Sequence, residues 1–140
     1  MALICAGFIA CSSSNETESN ETNGLESLII GTWTGSYGPT DFNIAFASYT
    51  FDKSHVVRRY YKSGRRTYTT SNGVKTYSAW EINEENSVGT WRLEDIGYPI
   101  MYITWNNGYG KNFLLDEFNG TTLKEDDNWF LYRGDSQPNF

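Results

Sequence analysis

Residues able to do chemistry are few in this chain. It has one histidine, His55, and two cysteines, Cys5 and Cys11, in 140 residues. Hydrolytic triads and zinc sites need histidine with a nucleophile or carboxylate at a defined spacing. None stands at a recognisable distance from His55. Asp126-Asp127 and Glu84-Glu85 are adjacent carboxylates of the kind that serve acid–base chemistry or ligate calcium. Each pair lies in a polar, turn-like stretch, which favours solvated loop acids. No glycine-rich phosphate loop is present. Catalysis, a metal centre and a cofactor are therefore not expected.

The remaining anomaly is basic. Arg58, Arg59, Lys62, Arg65 and Arg66 are interleaved with Tyr60, Tyr61 and Tyr68, and arginine with aromatics can bind phosphate and stack on bases. The net charge of −6 is concentrated in front, at Glu16, Glu18, Glu21 and Glu26. From Ser27 onward 13 acids face 11 bases, a net of −2. Bulk charge on that scale implies no nucleic-acid partner and no acidic membrane surface. The cluster fits an exposed hairpin whose charged side chains keep an edge soluble. An anionic ligand, such as a glycan or a fatty-acid carboxylate, is the other reading.

These residues must be positioned by a domain that starts late. Residues 1–11 are apolar and end in Cys11, too short to span a bilayer, which takes about 20 residues. They fit the apolar region of an export signal. Ile9-Ala10-Cys11 resembles a bacterial lipoprotein signal, in which the cysteine is lipidated after cleavage. That resemblance implies an exported protein, anchored to the outer membrane or cell surface only through a lipid on Cys11. Residues 12–27 carry an imperfect Asn-Glu-Thr repeat and almost no apolar content, so a flexible polar tether is expected. With both cysteines in front, the domain from residue 28 to 135 contains none, and needs neither a disulfide nor a thiolate-bound metal. Residues 136–140 are expected as a tail.

From Leu28 onward short runs rich in Tyr, Trp, Thr and branched residues alternate with turn residues, the texture of an all-β domain. Strands are expected at 29–37, 43–51, 55–61, 65–70, 74–83, 87–94, 100–105, 111–118, 121–124 and 129–133. Lys62-Ser63-Gly64, Ser71-Asn72-Gly73 and Asn106-Asn107-Gly108 read as turns between them. In the 74–83 run Val74, Thr76, Ser78, Trp80 and Ile82 share one face by alternation. Regular spacing of this kind suggests an antiparallel up-and-down β-barrel of about eight strands, each pairing with the next.

Gly31-Thr32-Trp33 on the first strand, with Arg133 on the last, resembles the lipocalin signature. Gly89-Thr90-Trp91 and Tyr102-Ile103-Thr104-Trp105-Asn106-Asn107-Gly108 are similar to motifs in the lipocalin-like domains of small bacterial lipoproteins. The likeness covers about residues 28–135, and the family's Thr-Asp-Tyr motif has no counterpart. It implies that Gly31, Trp33 and Arg133 form a structural clasp at the closed end of the barrel. It also implies a small apolar or amphipathic ligand at the open end. Trp80, Ile82, Met101, Ile103 and Trp105 are the candidate lining residues, though a barrel this small could be filled by them. The alternative is a non-catalytic surface lipoprotein whose filled barrel contacts a protein or a glycan. The sequence does not indicate an oligomeric state.

Overall fold

The computed structural model describes residues 24–37, 40–126 and 129–134. The signal-like segment with Cys11, the stretch up to residue 23 expected as a tether and the expected tail lie outside the described residues. A short helix at 24–29 precedes ten strands. They are β1 (Gly31–Tyr37), β2 (Asn43–Phe51), β3 (Val56–Arg65), β4 (Tyr68–Ser71), β5 (Val74–Tyr77), β6 (Glu81–Asp95), β7 (Pro99–Trp105), β8 (Gly110–Leu114), β9 (Thr122–Asp126) and β10 (Trp129–Arg133). Eight of them form one antiparallel sheet in the order β8-β7-β6-β3-β2-β1-β10-β9. The sheet curls into a nearly closed barrel, with β8 and β9 facing each other and no ladder between them. The all-β barrel of eight strands is as the sequence indicates.

Three local expectations are corrected. Residues 24–27 are helix rather than tether, because Ile29 has an apolar seat in the barrel base and is fully buried there. β3 does not turn at Lys62-Ser63-Gly64 but continues to Arg65. β6 supplies a partner along that whole length, with Tyr61 opposite Glu85 and Arg65 opposite Glu81. The run 74–83 is broken after Tyr77. Ser78 N–H donates back to the Thr67 carbonyl at 2.9 Å, closing β4 and β5 into a separate hairpin. That hairpin is an insertion, so β3 pairs with β6 rather than with the next strand.

Register sorts the side chains by face. Trp33, Tyr49, Arg59 and Ser87 lie in one row across β1, β2, β3 and β6. The next row on the same face, toward the base, holds Phe51, Val57 and Gly89. The base is packed solid by Ile29, Trp33, Phe51, Trp91, Met101, Ile103, Phe113, Leu123 and Leu131. Each such side chain contributes about 1.5–3 kcal/mol by leaving water. Gly89 is fitted to this packing, since a Cβ there would stand 2.3 Å from the Thr104 carbonyl oxygen. At the other end the walls are unequal in height. The first half of β6 pairs with β3 alone, while β7 joins only from Gly89 onward.

Candidate functional site

The base is held by Trp33 and Arg133. They are register partners on β1 and β10, and the guanidinium lies 4.5 Å from the indole centroid. Trp33 Nε1–H donates to the Ile29 carbonyl at 2.7 Å. Arg133 donates to the carbonyls of Ile30, at 3.1 Å, and Leu28. First strand, last strand and helix are thereby joined at one point. Gly31 makes room for it: its φ is +128°, and a Cβ would meet Arg133 Nη1 at 3.0 Å.

Above this apolar base the interior becomes polar. Tyr49 on β2 donates its hydroxyl to Glu125 Oε1 on β9 at 2.9 Å. Lys111 on β8 donates to the same oxygen. The Glu125 side chain is only 5% exposed, and its other oxygen, Oε2, is buried with no hydrogen-bond partner among the described residues. Burial, with Glu125 beside it, pushes the Tyr49 phenol above its usual range, so it stays a donor. Arg59 completes the layer, 4.8 Å from the Tyr61 ring centroid and 5.8 Å from that of Tyr49. Trp105 and Phe113 flank Tyr49, with centroids at 6.2 and 5.7 Å.

Two openings lie near this layer. One is a cavity of about 470 Å³ between β8 and β9, where the ladder is missing. Its walls include Leu114, Leu115, Phe118, Leu123 and Phe130, and Glu125 is part of its lining together with Asn112, Asp116, Glu117 and Lys124. The other, about 450 Å³, lies at the rim between β2, β3 and β6. It is lined by Ala45, Ser63, Gly64 and Asn83 together with Ile44 and Ile82, with Tyr61 at its inner side. Both openings have apolar wall residues, but of the two the β8–β9 opening is the one whose lining includes the buried Glu125 carboxylate.

The five lining residues expected from sequence do not converge. Met101 and Ile103 are fully buried in the packed base. Trp105 is half-buried beside Tyr49. Ile82 pairs with Gly64, which pairs with Ile44, on the face opposite Tyr49, and it is 45% exposed. Trp80 stands near Gly64 on that side and covers Arg66, 4.3 Å from its ring. The register of β6 on β3 sets Ile82, with Trp80 beside it, on the outer face next to Gly64 and Ile44, while Met101 and Ile103 are taken up by the packed base.

The basic cluster is dispersed rather than pooled. Arg58 pairs with Asp52 at 3.3 Å, Arg59 approaches Glu85 at 3.8 Å, and Lys62 approaches Glu84 at 3.9 Å. Arg66 is stacked between Tyr77 and Trp80 and donates to the Asp41 carbonyl at 2.7 Å. The Glu84-Glu85 pair is thus a strand feature, facing the bases of β3, and not a loop. Asp127 and the Asp126 side chain lie outside the described residues. His55 stacks on Trp91 at 5.0 Å and reaches Glu26 at 2.9 Å, tying the helix to the barrel. Among the described residues no three His, Cys, Asp or Glu side chains gather as metal ligands, and no helix is long and apolar enough to cross a membrane.

Sequence reasoning missed Tyr49, Lys111 and Glu125. Their signal is phase: Glu125 alternates with buried Leu123, and Lys111 with buried Phe113, so two opposite charges point inward. No family model, curated protein or solved structure matches the chain.

Proposed function

We propose that this chain is a non-catalytic, lipocalin-like binding domain, exported and held at the cell envelope by a lipid on Cys11. It takes a small amphipathic molecule through the opening between β8 and β9. The packed base leaves no room for an apolar ligand among Met101, Ile103 and Trp91, so the entry is lateral. One observation carries the reading: a cavity of about 470 Å³ with leucine and phenylalanine walls includes a buried carboxylate in its lining. Ligand sites combine apolar surface with a few placed polar groups in this way.

The test is an NMR titration of the full chain with small amphipathic compounds. Saturable shifts are expected at the amides of Leu114, Leu123 and Phe130, and Leu114→Glu should weaken binding about tenfold by placing a charge in the apolar wall. Shifts confined to Ala45 and Ser63 at the rim would move the site. The absence of any shift would favour a second reading, a filled barrel that contacts another protein. That reading rests on Leu114 and Phe130, 56% and 40% exposed beside the opening.

A further inference from the structure

The chemistry of the β8–β9 opening also selects its ligand. Glu125 Oε1 already accepts from Tyr49 and Lys111, whereas Oε2 is buried with no donor among the described residues. A buried acceptor is normally satisfied, so a group completing this site must bring an N–H or O–H. Charge narrows the choice. The lining holds three acids, Asp116, Glu117 and Glu125, and one base, Lys124. Counting Lys111, whose ammonium is turned onto Glu125, and the Arg59–Glu85 pair of the adjoining layer, the surroundings remain acidic by one charge. An ammonium suits that field and a carboxylate opposes it. Its further donors would meet Asn112 and Asp116, both in the lining. The rest of the ligand is set by Leu114, Leu115, Phe118 and Phe130, which offer apolar contact for a short aliphatic tail. About 470 Å³ fits a small molecule, within the usual range for such sites.

We infer that the β8–β9 opening binds a primary amine with a short apolar tail, its ammonium donating to Glu125 Oε2 while the tail lies along Leu114 and Phe130. This rests on the opening being a ligand site at all, and the experiment separates the two claims. Calorimetric titration of the full chain compares hexylammonium, hexanol and hexanoate at neutral pH and low salt. Hexylammonium should bind at least about tenfold tighter than hexanoate, with hexanol between them. Glu125→Gln should remove most of that preference.

Because Glu125 also ties β8 to β9, a second variant leaves that tie alone: Asp116→Asn together with Glu117→Gln. Both residues are exposed, and the double variant should weaken amine binding and flatten its salt dependence. Equal or tighter binding of hexanoate, or full amine preference in both variants, overturns the inference while the opening remains a ligand site. If none of the three compounds binds, the ligand-site reading falls with it.

Discussion

Trp33 and Arg133 stand at opposite ends of the described chain, and their contact is where sequence and structure meet most directly. The indole is fully buried, donates to Ile29 and carries the guanidinium on its face. Trp33→Ala should cost about 3–5 kcal/mol, as large-to-small core changes do. Arg133→Ala removes a cation–π contact and two hydrogen bonds at a more exposed site, for which about 1–2 kcal/mol is expected. Denaturant melts of both variants and of the pair measure it, and a coupling energy near zero would dissolve the clasp. Ligand affinity at the β8–β9 opening should be unchanged in Arg133→Ala. Glu125 and Lys111 were harder to see. Each reads as an ordinary surface charge until its phase is compared with a buried neighbour. Nothing local to either strand tells one that the other exists.

The elements differ in how openly the sequence declares them. β2 was legible to the residue, because Asn43–Phe51 combines branched and aromatic residues and is followed by the turn residues Asp52-Lys53-Ser54. Asn106-Asn107-Gly108 was equally clear, and Gly108 adopts the left-handed φ of 89° that such a turn demands. The helix at 24–29 was not legible, since a turn and a half is too short to show a period. It exists through Ile29 and through the Glu26–His55 contact. The inserted hairpin misled for a different reason. Alternation reports faces but not partners, so β5 and β6 looked like one strand.

Because β4 and β5 pair only with each other, the barrel should survive without them. Replacing residues 67–78 with two glycines loses the Phe42–Tyr68 stack at 5.3 Å, the Arg66–Tyr77 contact at 4.4 Å and the Tyr77–Asp41 hydrogen bond at 3.0 Å. A cost of about 1–3 kcal/mol is expected. Near-ultraviolet circular dichroism should keep the signal of Trp33 and Trp91. Its loss would make the hairpin part of the barrel's fold.

At the scale of the whole molecule, seven hydrogen-bonded ladders close around the barrel and the eighth position is empty. There the two strands meet through Lys111 and Glu125. An ion pair holds less firmly than a ladder, because it fixes two side chains where a ladder fixes both backbones. The barrel should therefore open first along β8 and β9, as a local event of lower free energy than global unfolding. In native-state hydrogen exchange the amides of β8 and β9 should exchange well before those of β2 and β3, which pair along nine successive residues. Lys111→Met removes the tie while keeping its aliphatic stem. It should accelerate exchange in β8 and β9 and leave β2 and β3 protected. Uniform acceleration across all four strands would mean that this edge cannot part without the rest of the barrel, and lateral entry of a ligand would then require unfolding.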